Sequence, residues 1–237
     1  MTTSGATRCE GLTRWHVLPD GAAVEAEARR RVEVAARRAI LERGAFHIVL
    51  AGGATPRGLY VSLPDLPTDW SLWHIWFGDE RVAPTDDPLR NSLMAHRVWL
   101  AKVPIPRDQI HYIPTELGLM RAVEEYSRQL AGLGDFDLVL LGLGEDGHTA
   151  SLFPGHELGL PPDGPDVLAV DDAPKPPPRR VSLSVARLSR ARKVLFLVTG
   201  PAKREAVARW RRGEALPAAA ITPACGVDVL VDAGCWG

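Results

Sequence analysis

A histidine in a glycine-rich turn is the residue of this chain best suited to acid–base chemistry. The stretch LVLLGLGEDGHTASLFPG, residues 138–155, runs from an apolar segment into the turn that holds His148. An imidazole titrates near neutral pH, so a histidine that faces a ligand at a strand end can act as a general base. Glu145 and Asp146 precede His148 and are candidates for orienting its ring. The alternative for a turn histidine is a hydrogen bond to a neighbour without a chemical role.

The glycines around this histidine raise the question of a nucleotide site. Gly142, Gly144 and Gly147 match GxGxxG directly after a strand-like run. A dinucleotide site needs a long helix behind the third glycine, whereas Pro154 and further helix breakers follow at once. We therefore disfavour nucleotide binding and expect Gly144 and Gly147 to let the main chain approach a small ligand. A metal site is also disfavoured, because no second histidine stands at HxxxH spacing and no cysteine is near. No cofactor is expected.

A second glycine pair is placed to bind an anion. The segment LAGGATPRGLY carries Gly52 and Gly53 between a strand and a helix, with Thr55 expected as the N-cap and Pro56 as the first helical residue. Free main-chain N–H groups and the positive end of the helix dipole favour phosphate at such a position. The GxxxxGK pattern of a nucleoside triphosphate loop is absent.

Charged side chains follow three other strand-like runs. WFGDERVAP releases Asp79, Glu80 and Arg81 together, which predicts either an ion-pair cluster or a part of the site. Lys203 stands in the first turn of the helix after VLFLVTG, and Arg180 begins RVSLSV. Both are candidate cations for an anionic ligand, and a solvated lysine is the alternative for Lys203.

The elements that must position these residues alternate along the chain. A helical pattern runs from Ala22 to Gly44, and further helical segments alternate with the strand-like runs FHIVLAGG, LWHIWFGDE, FDLVLLGLG, RVSLSV, KVLFLVTG and GVDVLVDA. This order predicts an α/β fold with a mainly parallel Rossmann-like sheet, helices on both faces and ligands at the carboxyl ends of the strands. Residues 160–180, rich in proline and aspartate, are expected to form a surface excursion. Residues 1–237 are expected to form a single α/β domain.

Composition excludes several classes of partner. The 237 residues are 46% hydrophobic and 24% charged, enough to bury a core, and a net charge of −1 gives no field to attract nucleic acid or an anionic membrane. No apolar run is long enough to span a bilayer, and the N-terminal residues lack the apolar core of a signal peptide, so a cytoplasmic location is expected. Cys9, Cys225 and Cys235 are odd in number and lack CxxC spacing, which argues against disulfides and structural zinc.

Taken together, the blocks are those of a known family. LAGGATPRGLY, WFGDERVAP, NSLMAHRVWL, LGLGEDGHTASLFPG, RVSLSV and TGPAKREAV occur in the order and spacing of the glucosamine-6-phosphate isomerase/6-phosphogluconolactonase family, which the chain resembles. Deaminase members carry Asn-Glu-Pro after the histidine block, where this chain has Leu152, Phe153 and Pro154, so it is more similar to the lactonase branch. Ala51 and Ala54 replace two serines that the family usually has, which removes two hydroxyl donors.

The resemblance implies hydrolysis of a small sugar-phosphate lactone, 6-phospho-D-glucono-1,5-lactone, without a metal or a covalent nucleophile. His148 would take a proton from water and return it to the ring oxygen, and Asp146 and Asp79 would orient His148 and Arg81. Either the glycine turn or Arg81 would stabilise the oxyanion. The implied phosphate ligands are Gly52, Gly53, Thr55, Arg180 and Lys203. A sugar-phosphate deaminase or isomerase and a non-catalytic sugar-phosphate sensor are the alternatives, and no oligomeric state is predicted.

Overall fold

The computed structural model describes residues 12–237, which form strands and helices in alternation. The strands are β1 (Thr13–Leu18), β2 (Phe46–Leu50), β3 (Trp73–Phe77), β4 (Asp79–Arg81), β5 (Ile110–His111), β6 (Leu138–Gly142), β7 (Val167–Val170), β8 (Arg180–Leu183), β9 (Val194–Val198) and β10 (Val227–Asp232). The helices are α1 (Gly21–Arg43), α2 (Ala54–Ser62), α3 (Asn91–Val98), α4 (Leu119–Leu130), α5 (Val185–Ser189), α6 (Arg204–Arg211) and α7 (Ala233–Trp236).

Seven strands form one parallel sheet in the order β1-β10-β9-β6-β2-β3-β5, with helices around it. This architecture confirms the predicted fold class. The chain leaves β2 for β3 and β5, then crosses back to β6 on the other side of β2. The loops after β2 and β6 therefore diverge, and ligands of open α/β sheets bind in the crevice at such a reversal.

A second, antiparallel sheet of three strands, β4-β8-β7, packs beside the first. RVSLSV, which the sequence analysis placed in the main alternation, lies here as β8. The expectation of a surface excursion over residues 160–180 is wrong for β7, where Val167, Leu168 and Val170 are buried. Four residues between prolines and aspartates are too few to show a strand pattern, and pairing with β8 is what makes this segment extended.

The start of α2 differs from the expected capping. Gly53, with φ of 105°, is the N-cap, and Ala54 is the first helical residue. Glycine tolerates this positive φ, and the helix begins two residues earlier than expected, which places Thr55 inside α2. The Thr55 hydroxyl instead lies 2.5 Å from the Thr199 hydroxyl. This contact joins the first turn of α2 to the loop after β9.

The edge strand β1 and the cysteines complete the described fold. The sequence patterns did not predict β1, whose Trp15 packs edge-on against Trp210 with ring centroids 5.2 Å apart.

Cys225 and Cys235 are free thiols, exposed and buried respectively, while Cys9 lies outside the described residues. Within residues 12–237, each helix is too short or too polar to cross a membrane.

Three histidines, one each on the neighbouring strands β2, β3 and β5, stack on one another. The ring centroids of His47 and His74 are 4.4 Å apart, and those of His74 and His111 are 5.7 Å apart. Trp76 stacks on His111 at 3.7 Å and donates its indole N–H to His47 Nδ1 at 3.2 Å. Burial lowers the pKa of His47 and of His111 to about 4, and it also lowers the pKa of His74.

This stack predicts a loss of stability in mild acid. A histidine whose pKa is lowered by folding binds fewer protons in the native than in the unfolded state between pH 4 and 6.5. The free energy of unfolding should therefore have its full value above about pH 6.5 and should decrease as the pH falls below 6.5. Urea unfolding at pH 7.5 and 5.5 should show the decrease. The difference in unfolding free energy between the two pH values should be smaller in His111→Gln by less than about 1 kcal/mol, since His111 is only partly buried. The exposed His96→Gln serves as the control, and equal pH dependence in the two variants would contradict the prediction.

Candidate active site

A pocket of about 300 Å³ opens at the carboxyl ends of the central strands, between the loops after β2 and β6, where the strand order reverses. Its lining comes from the loops after β2, β3 and β6, from the second sheet and from the turn before α6: Leu50, Ala51, Gly52, Gly53, Gly78, Asp79, Arg81, Asn91, Leu141, Gly142, Leu143, Gly144, His148, Thr149, Ala150, Lys175, Pro176, Arg180 and Lys203. Most of the predicted site residues therefore line one cavity. Thr55, Asp146 and Gly147 are not in this lining.

His148 is held by the carboxylate two residues before it. Its Nδ1 lies 2.5 Å from Asp146 Oδ1, which also accepts the main-chain N–H of His148 at 3.2 Å. A proton on Nδ1 shared with this carboxylate leaves Nε2 as the basic nitrogen. Burial lowers the pKa of His148, against the opposing effect of Asp146, so the imidazole is neutral at pH 7. A neutral ring with one fixed nitrogen can accept a proton from water.

The two glycines of this turn have different tasks. A Cβ at Gly144 would lie 2.0 Å from His148 Nδ1, so only glycine leaves room for the imidazole in this position. Gly147 has φ of 91°, and a Cβ there would lie 2.8 Å from Leu216 Cδ2. Its N–H donates to the Gly144 carbonyl at 3.0 Å. Gly147 thus shapes the turn from outside the pocket, and of these two glycines only Gly144 lines it.

The charged triplet after β3 divides between the site and the fold because it forms a strand. Alternation along β4 turns Asp79 and Arg81 into the pocket and Glu80 to the opposite face. Glu80 is fully buried and accepts the main-chain N–H groups of Asn91 and Ser92, both at 2.8 Å, at the start of α3. Asp79 and Arg81 therefore line the pocket, while Glu80 anchors the start of α3.

Asp79 is held by two residues that sequence reasoning did not select. Its Oδ1 accepts from Asn91 Nδ2 at 3.1 Å, and its Oδ2 accepts from the Ser151 hydroxyl at 2.6 Å. Asp79 was expected to orient Arg81, but within the described residues the two side chains share no hydrogen bond or ion pair. Arg81 Nη1 instead donates to the Leu89 carbonyl. Asn91 stands first in the NSLMAHRVWL block, so its place in that block was the available signal.

Four cations surround the pocket, and one of them was missed. Arg81 and Arg180 are directly opposite in the β4–β8 register. Burial, with the charge of Arg81, lowers the pKa of Arg180. Lys203 Nζ lies 3.9 Å from Glu145 Oε1, so Glu145 contacts this lysine rather than His148. Lys175 comes from the proline-rich segment that was expected to be only a surface excursion.

In the loop after β2, Gly52 and Gly53 line the pocket. The N–H and C=O of Ala51 both bond to the buried Tyr60 hydroxyl, at 3.0 and 2.9 Å, so the N–H is not free to bind an anion. This contact fixes the loop without the hydroxyl that the family usually has at position 51. Among residues 12–237, no three His, Cys, Asp or Glu side chains are grouped to hold a metal ion.

Gly52→Ala is expected to impair the site by displacing Asn91. A methyl group at this position would lie 1.9 Å from Asn91 Oδ1 and 2.4 Å from its Cγ, and the buried Asn91 cannot move without breaking its bonds to Asp79. We expect a stability loss of about 1–3 kcal/mol and a two- to ten-fold decrease in turnover, roughly one lost hydrogen bond. Gly134→Ala is the matched control, since nothing lies within 4 Å of its Cβ position. Wild-type behaviour of the Gly52 variant in urea unfolding and turnover would refute the packing argument.

The family follows from a match across most of the chain. Residues 19–230 match the family described as glucosamine-6-phosphate isomerases/6-phosphogluconolactonase. The chain belongs to this family. It is 40% identical to the 6-phosphogluconolactonase of Mycobacterium tuberculosis over 206 residues, 81% of this chain and 83% of that protein. Its structure is similar to the crystal structure of 6-phosphogluconolactonase from Thermotoga maritima, with a TM-score of 0.86, 29% identity, and coverage of 93% and 100% of the two chains. The resemblance drawn from the sequence blocks is confirmed.

The fold alone does not separate the two activities of the family. A monomeric glucosamine-6-phosphate deaminase superposes with a TM-score of 0.81 at 20% identity, over 94% of this chain and 98% of that chain. The side chains after the histidine turn are the more informative feature. Leu152 and Phe153 are fully buried here, and the Phe153 ring packs on His148 with centroids 4.8 Å apart.

Proposed function

We propose that this protein hydrolyses 6-phospho-D-glucono-1,5-lactone to 6-phospho-D-gluconate, with His148 as the general base. The observation that carries the proposal is the Asp146–His148 pair, 2.5 Å apart, at a pocket lined by cations. The lactonase names of the relatives similar over most of the chain support the same substrate.

The reaction needs one base and a fixed substrate. His148 Nε2 accepts a proton from a water molecule while the water oxygen bonds to C1 of the lactone, and the carbonyl electrons move to oxygen. The oxyanion then re-forms the carbonyl, the bond from C1 to the ring oxygen breaks, and the imidazolium returns the proton to that ring oxygen. Asp146 stabilises the transient imidazolium and keeps Nε2 pointed away from its own carboxylate. The products are a free hydroxyl and a carboxylic acid that ionises.

This proposal assigns the phosphate to the loop after β2 and the cations near it. Main-chain N–H groups at Gly52 and Gly53 lie beside the N-terminus of α2, where the helix dipole favours an anion. Lys203 and Arg180 add positive charge from two other elements. Thr55 does not line the pocket, and its hydroxyl is already bonded to Thr199, so we remove it from the proposed phosphate ligands.

A deaminase is disfavoured by the residues beside His148. Ring opening and amine release need further acid and base groups, whereas Leu152 and Phe153 supply none at the position where deaminase members carry a glutamate. A non-catalytic sensor would have no use for an imidazole tied to a carboxylate and facing the pocket.

The deciding experiment measures acid release from the purified protein with 6-phosphogluconolactone at pH 7, corrected for spontaneous opening of the lactone. Hydrolysis well above the background supports the proposal, and the same preparation should release no ammonia from glucosamine 6-phosphate. Turnover of the amino sugar without lactone hydrolysis would establish the deaminase instead. Activity should survive exhaustive chelation, because no metal enters the proposed steps.

A further inference from the structure

Lys175 is a pocket cation that the steps above do not use. It lines the same cavity as His148, from the segment between β7 and β8. Across residues 12–237, its ammonium group makes no hydrogen bond or ion pair with another residue. The other cations have partners, since Arg81 donates to the Leu89 carbonyl and Lys203 lies beside Glu145. Lys175 is therefore the pocket cation without a protein partner in the part of the chain described.

The main chain that carries Lys175 is held by a buried guanidinium. Arg180, 5% exposed, donates Nη2 to the carbonyl of Lys175 at 2.7 Å and to that of Pro176 at 3.4 Å, and it donates Nε to that of Pro177 at 3.1 Å. The guanidinium is planar and rigid, so three successive carbonyls on one side chain fix the path of the segment. A fourth contact, from the Ala173 N–H to the Pro178 carbonyl at 2.9 Å, closes the loop.

A small apolar cluster ties this segment to the histidine turn. Phe153 packs with Val170 and Ala173, which lie just before Lys175 in the chain. The same Phe153 ring lies 4.8 Å from the His148 ring and 5.5 Å from Arg180 Cζ. The position of the Lys175 segment relative to His148 is thus set by one shared aromatic side chain and one arginine.

We propose that Lys175 stabilises the negative charge that develops on the lactone carbonyl oxygen when water adds to C1, and that Arg180 positions it for this task. The proposal rests on the lactone hydrolysis proposed above. The ammonium group gains its full interaction only while the oxyanion exists, and it loses that interaction when the carbonyl re-forms and the ring oxygen leaves. Lys175 also lowers the pKa of His148, which agrees with an ammonium group near the ring, whereas Asp146 and Asp79 raise it.

The first test compares Lys175→Met on the phosphorylated lactone and on unphosphorylated glucono-1,5-lactone. Loss of an oxyanion contact should lower kcat about ten-fold on both substrates and leave KM nearly unchanged. Lys175→Arg should recover part of the rate, and the exposed Lys102→Met is the matched control. A loss confined to the phosphorylated lactone would make Lys175 a phosphate ligand and overturn the proposal, as would an unchanged rate on both substrates.

The second test asks whether Arg180 acts through Lys175. The unphosphorylated lactone isolates this effect from any contact between Arg180 and phosphate. Arg180→Lys should lower kcat on this substrate. In the double variant that also carries Lys175→Met, kcat should fall by less than about a further two-fold, because the two residues act as one unit. Losses that multiply in the double variant would refute the positioning role.

A titration without substrate separates this proposal from the proposed function. The His148 ring nitrogens, followed by NMR, should titrate at higher pH in Lys175→Met than in the wild type, because a nearby positive charge has been removed. An active wild type with an unchanged titration and unchanged rates in the variant refutes only the role of Lys175. A wild type that hydrolyses neither lactone refutes the proposed function, and with it the oxyanion role.

Discussion

His148→Ala is expected to lower lactone hydrolysis about 10²–10⁴-fold, the usual contribution of a general base. The residue lies in a turn beside the pocket, so its removal should leave the sheet and its core intact. Circular dichroism and urea unfolding close to the wild type would show that the loss is chemical. His96→Ala, at an exposed position on α3, is the matched control and should keep full activity. A His148 variant that hydrolyses the lactone at near wild-type rates above the spontaneous background would remove the base from the mechanism.

The pH profile gives an independent check on the same residue. Only the neutral imidazole can accept a proton, so kcat/KM should be constant at neutral pH and fall as the ring becomes protonated in acid. Burial lowers the pKa of His148 from its ordinary value of 6.5, which places this fall below pH 6.5. Asp146→Asn should lower the rate as well, since an amide can hold Nδ1 but does not stabilise the imidazolium. A profile flat to pH 4 would contradict a histidine base.

The parallel sheet and the site turns were predictable from the sequence because their signals are long. Apolar runs that end in glycine mark β2, β6 and their loops without any knowledge of tertiary contacts. The same reasoning left the role of Glu80 open. It stands between two pocket residues in the chain, and its opposite direction follows from a three-residue strand that exists only because β8 pairs with it.

Contacts between distant segments were the other limit. Ser151 and Asn91 meet at Asp79 from positions 72 and 12 residues away in the chain, and neither has a local pattern that marks it as polar support for the site. Lys175 was passed over because its segment has the composition of a solvated loop. What places it at the pocket is the Arg180 side chain, whose hydrogen bonds to main-chain carbonyls carry no sequence signature.

Lys203→Ala is expected to weaken the use of phosphorylated substrate about ten- to a hundred-fold, the value of one charge-assisted hydrogen bond. Because Ala51 and Ala54 remove two hydroxyl groups that the family usually has, charged side chains must supply more of the phosphate binding here. Lys203 lines the pocket next to the loop after β9, a short distance from the exposed Glu145, and it can turn to a dianion at little cost. The measurement is kcat/KM for the phosphorylated and the unphosphorylated lactone, in the wild type and in the variant.

Selectivity between the two lactones is what identifies the role of Lys203. The unphosphorylated lactone has no phosphate for this lysine to bind, so its kcat/KM should hardly change. The ratio of kcat/KM for the phosphorylated lactone to that for the unphosphorylated lactone should therefore fall about ten- to a hundred-fold. Lys102→Ala, exposed and absent from the pocket lining, is the matched control and should leave the ratio intact. Glu145→Gln should keep or raise the preference for the phosphorylated lactone, because it removes the carboxylate that competes for Lys203. An equal loss on both substrates in Lys203→Ala would mean that this lysine supports the fold or the chemistry, and the phosphate would then have to bind elsewhere in the pocket.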